Sequence, residues 1–307
     1  MAAACLRTLE AQTFRDFEAV VVDDGSADGS AERLARDFPW ARLVRLPENR
    51  GFARAANAGI AGARGEWVFL LNNDMTLEPD CVERLLAGAE AADAHLAAPL
   101  VLWRDTPDTV YSAGDLQYAS GRPVSAGFRV PRAAFTPPSR VFGVSGGAGL
   151  IHRSVFEKVG ALDTRFTAYF EDADLCFRAR LAGFTAVFVD GAVAYHIGSA
   201  SIAGRAWWRS VQCCRNHTLL VLKNFPARLL ARHAGTILRE CAHQRRRCFS
   251  ALRAEFGAAR ALRMTLAADM GLLALLPHAL RERRRVRKMR VLALDDLDAL
   301  LTREPGE

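Results

Sequence analysis

Several signatures that would fix the class of this protein at a glance are missing from its 307 residues. There is no C-x-x-C pair. The seven cysteines (Cys5, Cys81, Cys176, Cys213, Cys214, Cys241 and Cys248) are odd in number and scattered, which argues against a zinc site or a bridge framework and fits reduced thiols. The start, MAAACLRTLEAQTF, has neither the basic end nor the apolar run of a secretory signal. The most apolar late stretch, Met264 to Leu280, is interrupted by Asp269 and Pro277 and is too short to span a bilayer. No G-x-G-x-x-G or G-x-x-x-x-G-K-[ST] is present, so the usual dinucleotide and P-loop sites are not supported. Internal repeats and low-complexity linkers are lacking as well. A cytoplasmic chain is expected, one that touches a membrane surface at most.

Lysine is scarce: Lys158, Lys223 and Lys288 are the only three, so nearly all of the positive charge is arginine. The net charge of +7 hides an asymmetry, because residues 1–203 hold 20 Lys/Arg against 25 Asp/Glu whereas residues 204–307 hold 21 against 9. An acidic front and a basic back imply two regions with different partners. With half the residues hydrophobic and a quarter charged, the chain can bury a sizeable core.

The first 100 residues alternate apolar runs with helical patterns, the sign of an α/β sheet. Helices are predicted over 5–13, 30–38, 52–63 and 79–91, with Gly65 closing the third in a left-handed cap and Pro79 opening the fourth. Strands are predicted over 17–22, 41–46 and 66–71. From 100 to 145 the pattern weakens into loops and short strands. Ser154 to Glu157 fits a capping box, residues 172–182 a helix ended by Gly183, and residues 184–189 and 192–195 two strands leading to His196. Beyond 204 the pattern is helical to the end, broken at Pro226 and Pro277.

Ligands of open α/β sheets bind at the carboxyl ends of strands. Two such ends carry acid, at Asp23-Asp24-Gly25-Ser26 and at Asn72-Asn73-Asp74. Each is by itself a good turn former; together, on neighbouring strands, they outline a polar ligand site. Glu171-Asp172-Ala173-Asp174 puts three carboxylates at a helix start, where they complement the helix dipole, yet one held ionised there could act as a general base. Gly146-Gly147-Ala148-Gly149 reads as a turn or a place of close backbone approach. His196 follows a strand, a position where histidines are more often structural than ligands.

The order of these pieces is more specific than any one of them. Val20-Val21-Val22-Asp23-Asp24-Gly25-Ser26, Asn49-Arg50-Gly51-Phe52 with Asn57 and Gly59, Phe69-Leu70-Leu71-Asn72-Asn73-Asp74, Gly146-Gly147 with Arg153, Gly160-Ala161-Leu162-Asp163, Tyr169-Phe170-Glu171-Asp172-Ala173-Asp174, and finally His196 with Ser199 resemble the family 2 glycosyltransferases, and within them the rhamnosyltransferase-like branch. The resemblance covers residues 5–230 and implies the GT-A nucleotide-diphospho-sugar transferase fold, a Rossmann-like mixed sheet flanked by helices, with residues 204–307 as a basic helical C-terminal extension. It implies that Asp23 contacts the nucleotide base, and that Asn49, Gly51, Asn57, Asn72, Gly146, Gly147 and Glu171 belong to the donor site. It further implies that Asp74 and His196 hold Mg²⁺ or Mn²⁺, with Asn72 replacing the usual first acid, and that Asp172 is the catalytic base. The implied partners are a nucleotide-sugar donor and a glycan or lipid-linked acceptor.

Against the family pattern, the chain begins at a helix that an apolar strand normally precedes. The expected consequence is neighbouring strands left unpaired, and the expected origin a start placed too late. Two other readings stand beside the enzyme: a non-catalytic nucleotide-sugar-binding scaffold, and a membrane-surface protein whose basic helices are the working part. Arginines beside apolar faces suit an anionic membrane surface at the inner face of a cell membrane as well as they suit plain packing. Nucleic acid is not expected, since Trp207-Trp208-Arg209 lies in no recognised binding module.

Overall fold

The computed structural model describes residues 1–197 and 206–304; Ser199 and the expected boundary at 203/204 lie outside them. Helix α1 (Ala2–Glu10) leads into β1 (Val20–Asp23), α2 (Ser30–Asp37), β2 (Arg42–Arg45), α3 (Phe52–Gly62) and β3 (Trp67–Leu71). Then come β4 (Met75–Leu77), α4 (Cys81–Ala91), β5 (Leu96–Trp103), β6 (Val110–Ser112), β7 (Asp115–Gln117) and β8 (Pro123–Ser125). After a long loop follow β9 (Ala148–His152), α5 (Arg153–Val159), α6 (Glu171–Leu181) and β10 (Ala186–His196). The remainder is helical: α7 (Ala206–Asn224), α8 (Ala227–Arg232), α9 (Ala234–Phe256), α10 (Ala258–Met289) and α11 (Leu294–Leu300).

Six strands form a mixed sheet in the order β3-β9-β5-β10-β4, with β6 on β5. Only β5 and β10 run parallel; the other neighbours are antiparallel. Central β5 is buried along almost its whole length, as a strand covered on both faces must be. Strands β1 and β2 make a separate parallel pair, with Val20 opposite Arg42 and Asp23 opposite Arg45. The two strands predicted near the end of the sheet are one strand, β10, whose register shifts between Val189 and Val193. The extra residues bend the strand there without ending it.

Local signals differ from expectation in four places. Helix α3 closes on Ala63 in an extended conformation, and Gly65 takes no left-handed φ. Pro79 sits ahead of α4, whose N-cap is Asp80. The cap of α5 is His152, whose ring accepts the Ser154 N–H, so no Ser–Glu box forms. Helix α10 runs through Pro277; packing outweighs the one hydrogen bond that a proline removes.

Residues on both sides of the charge boundary share one core, in which Phe166, Leu175 and Phe177 pack with Leu219, Leu220, Phe225 and Leu297. At its centre stands Asp174, which has no exposed surface. Asp174 Oδ2 accepts from Arg178 Nε at 2.9 Å and Lys223 Nζ at 2.9 Å, and its Oδ1 from Asn224 Nδ2 at 2.8 Å. Lys223 Nζ also reaches Asp163 Oδ2 at 2.6 Å, and His278 Nε2 lies 2.8 Å from the same oxygen. Arg178 spends three further N–H groups on the carbonyls of Val159, Gly160 and Ala161. The network thus ties α6, α7, α10 and the 159–163 loop together.

Burial alone would raise the pKa of Asp174; Lys223 and Arg178 outweigh it and hold the carboxyl below its ordinary value. For a depressed acid, the stabilisation is present above the unfolded pKa of about 4 and is lost as pH falls through the lower folded value. Asp174→Asn leaves two buried cations short of a counter-charge, so it is expected to cost about 3–5 kcal/mol at pH 7. Denaturant unfolding of variant and parent checks this: the gap should close below about pH 4, and equal stability at pH 7 would contradict it.

Candidate active site

Strand β3 delivers Asn72 and Asp74 at the carboxyl end of the sheet, and β10 delivers His196 beside them. Asp74 and His196 are both buried, with Asp74 Oδ2 3.2 Å from His196 Nε2. Tyr111 of β6 closes over the imidazole, ring centroids 4.2 Å apart. The second oxygen of Asp74, Oδ1, and the Nδ1 of His196 are buried without a hydrogen-bond partner, an arrangement that is costly unless a ligand completes it. A carboxylate oxygen is a fitting donor for Mn²⁺ or Mg²⁺, and the imidazole nitrogen beside it suits Mn²⁺ better than the oxygen-preferring Mg²⁺. No cluster of three or more metal-ligating side chains occurs among the described residues.

The Gly146-Gly147 turn joins this end of the sheet to α6. The Asn72 N–H donates to the Gly147 carbonyl at 2.9 Å, and the Gly146 N–H donates to Asp172 Oδ2 at 2.9 Å. A Cβ on Gly146 would lie 3.2 Å from the Phe52 ring, and one on Gly147 3.3 Å from the Asn72 amide, so close approach is what these glycines permit. Asp172 Oδ1 accepts in addition from the Ala173 N–H at 2.8 Å. Asn72, Asp74, Gly146, Gly147, Glu171, Asp172 and His196 are therefore one neighbourhood.

The end of β1 forms a second one. Asp23 accepts from the Ser26 N–H at 3.3 Å, whereas Asp24, which the sequence reading left without a role, binds the N–H groups of Arg50 and Gly51 at 3.0 and 2.9 Å. That clamp fixes the loop carrying exposed Asn49. Gly51 has φ +89°, and a Cβ there would meet the Thr167 carbonyl at 2.9 Å; the loop thus abuts the segment leading into α6. Asn57 stands apart. Both ends of its amide are engaged by the Leu162 backbone, at 2.8 and 2.9 Å, so it fastens α3 to the 160–163 loop.

Residues 1–160 match the family model described as Glycosyl transferase family 2. The chain belongs to this family. N-acetylglucosaminyl-diphospho-decaprenol L-rhamnosyltransferase of Mycobacterium tuberculosis is 30% identical over 218 residues, 62% of this chain and 70% of that protein. Succinoglycan biosynthesis protein ExoO of Rhizobium meliloti is 46% identical over 81 residues, 26% of this chain and 23% of that protein. A crystal structure of GalNAc-T7 with UDP, GalNAc and Mn²⁺ superposes with a TM-score of 0.53 at 16% identity, covering 71% of this chain and 44% of that one. The fold is the GT-A fold, and the protein is a glycosyltransferase of the rhamnosyltransferase-like kind.

In this glycosyltransferase the approach to α6 is strained. Thr167, Tyr169 and Phe170 all have φ between 65° and 73°, a region that side chains with a Cβ seldom occupy. Buried Asn216 of α7 holds the strained turn, its Nδ2 donating to the carbonyls of Phe166, Ala168 and Tyr169 at 2.7–2.9 Å. Arg215 donates to the carbonyls of Arg165 and Phe166. By charge and helical pattern alone both residues fall in the basic C-terminal extension.

The carboxylates of the site divide by their surroundings. Burial raises Asp172, opposed by the N–H groups of Gly146 and Ala173. Asp115 of β7, also missed from sequence, is pushed up to about 7 by burial and by the nearby Asp172, with only the Ser125 hydroxyl opposing. Of the two, Asp172 has the two backbone N–H donors that favour its charged form. Glu171 is buried with Oε2 unpartnered, and burial followed by Asp172 raises it to about 8.

A raised acid costs stability between its unfolded and folded pKa values. The penalty of Glu171 is absent below about pH 4 and grows as pH rises toward 8. Glu171→Gln is therefore expected to stabilise the chain at pH 8 relative to pH 5, by on the order of 2–4 kcal/mol. Urea unfolding at the two pH values measures this directly; a pH-independent difference would contradict the assignment.

Proposed function

We propose that this glycosyltransferase moves a sugar, with inversion and with a divalent metal, from a nucleotide-diphosphate donor to a hydroxyl of a cell-surface or lipid-linked glycan. The observation that carries the reading is the Asp172 carboxylate, held by the Gly146 N–H beside the buried Asp74–His196 pair. Asp172 takes the proton of the acceptor hydroxyl as its oxygen attacks the anomeric carbon. The new C–O bond forms on the face opposite the breaking bond to the nucleoside diphosphate, so a single displacement inverts the centre. Asp23 faces the nucleotide base, with Asn49 and Gly51 on the adjoining loop. The backbone at Gly146 and Gly147 and the amide of Asn72 stand against the sugar and ribose. Glu171, buried beside Asp172 with its Oε2 unpartnered, belongs to the same donor site. Asp74 and His196 are the residues to hold Mg²⁺ or Mn²⁺, which when bound neutralises charge on the leaving diphosphate.

The mycobacterial relative, by its name a rhamnosyltransferase acting on a diphospho-decaprenol, supports a dTDP- or UDP-sugar donor, dTDP-rhamnose first among them, and a lipid-linked acceptor. No described helix is long and apolar enough to cross a membrane. On this reading the enzyme acts peripherally at the inner face of the cell membrane, where a lipid-linked acceptor would lie, in cell-wall or polysaccharide synthesis and with no nucleic-acid partner.

A positioned general base supplies about 10²–10⁴-fold in rate. Asp172→Asn is expected to lose at least that much turnover while its affinity for the nucleoside diphosphate stays within about three-fold, since the base acts only as the acceptor is deprotonated. Turnover with a radiolabelled nucleotide sugar and titration calorimetry read the two quantities separately. Parental turnover in the variant would sink the assignment.

A further inference from the structure

Helix α10 is 32 residues long and packs one side against α7 and α9. Its buried residues, Ala261, Thr265, Ala279 and Val286, mark that side. On the opposite side Leu262, Leu266, Met270, Leu273 and Leu280 are each half or more exposed. At 100° per residue these five fall within an arc of about 80°, and Pro277 lies inside it. Over 18 residues the stripe runs about 27 Å. Scattered exposed leucines are ordinary, but a continuous apolar stripe on one helix face marks an interaction surface.

The charges around the stripe choose its occupant. Arg263 borders its first half; Arg281, Arg284, Arg287 and Lys288 follow the same face beyond Leu280, all exposed. No carboxylate among the described residues pairs with any of these five cations. The nearby Asp269 is taken by Arg245 of α9. An apolar stripe with a cationic border and no anionic counterpart is the pattern of a helix lying in the headgroup region of an anionic bilayer, apolar face down and arginines at the phosphates. A second copy of this chain would set those cations against one another. We propose that α10 is a membrane-docking helix that lies in the plane of an anionic lipid surface.

The helix is fixed rigidly to the catalytic fold. His278 meets Asp163 at 2.8 Å and Arg283 donates to the Leu222 carbonyl at 2.7 Å, and through Asp163 and Lys223 it joins the network beneath α6. Docking therefore sets the orientation of the site relative to the lipid surface. The inference deepens the reading of a lipid-linked acceptor, and it is tested by binding to vesicles, which does not require transfer.

The experiment is flotation of the full chain with vesicles of equal parts phosphatidylglycerol and phosphatidylcholine, against vesicles of phosphatidylcholine alone. Binding is expected to the anionic vesicles and to fall with added salt. Leu266→Glu with Met270→Glu is expected to weaken it by at least about ten-fold. Arg284→Glu with Arg287→Glu should do the same, and neither pair should alter melting temperature or affinity for the nucleoside diphosphate. Absence of binding to anionic vesicles, or equal binding by parent and both variants, overturns the proposal. So does a dimer in analytical ultracentrifugation that the apolar variant dissolves, because the stripe is then a self-interface. If the chain floats but the Asp172→Asn variant turns over normally, the docking surface stands and the catalytic reading falls.

Discussion

The position of the candidate base depends on a carboxylate that never meets solvent. Asp174 lies two residues beyond Asp172 on α6 and takes three donors from α6 and α7. A buried charge is tolerable only when paired and hydrogen-bonded, so Arg178, Lys223 and Asn224 have little freedom once Asp174 is in place. Their own further bonds, to the 159–161 carbonyls and to Asp163, then fix the loop before α6. The result is a helix start that cannot slide or rotate relative to the sheet.

On that rigid base the molecule stores strain. Thr167, Tyr169 and Phe170 are left-handed, and Asn216 satisfies three of the carbonyls their turn exposes. The turn presents Asp172 to the Gly146 N–H and leaves Glu171 buried with Oε2 unpartnered. Unsatisfied buried acids cost stability, and active sites are where proteins accept such costs. The contrast among neighbours is physical: Asp174 meets two cations and is depressed, Asp172 is raised by burial against the N–H groups of Gly146 and Ala173, and Glu171 is raised by burial and by Asp172 with only its own backbone N–H opposing. Three carboxylates within four residues thus have three different surroundings, and only Asp174 is depressed.

Much of this was legible in the sequence, for a definable reason. An apolar run that ends abruptly in polar residues marks the carboxyl end of a strand, and Asp23, Asn72, Asp74 and His196 all stand at such ends. The order of the motifs supplied the family, and the comparisons agree. What stayed hidden was whatever depends on distant partners. Asp115 and Tyr111 lie in the stretch where short strands give no period. Asn57, expected in the donor site, fastens α3 to the 160–163 loop, and nothing local reveals that Leu162, 105 residues away, engages both ends of its amide. Arg215, Asn216, Lys223 and Asn224 were hidden by a charge average that assigned their whole helix to a basic tail. A local cue was present: Lys223 is one of only three lysines and sits in the apolar run Leu219 to Phe225, where an unpaired ammonium could not remain.

The central claim is that the carboxyl ends of β3 and β10 hold a nucleoside diphosphate together with a divalent ion. Titration calorimetry of the full chain with UDP and dTDP, each with and without Mn²⁺, tests it most directly. The account expects binding that depends on Mn²⁺ and that Asp74→Ala abolishes. Binding of equal strength with and without the metal, or no binding of either nucleotide, would contradict it.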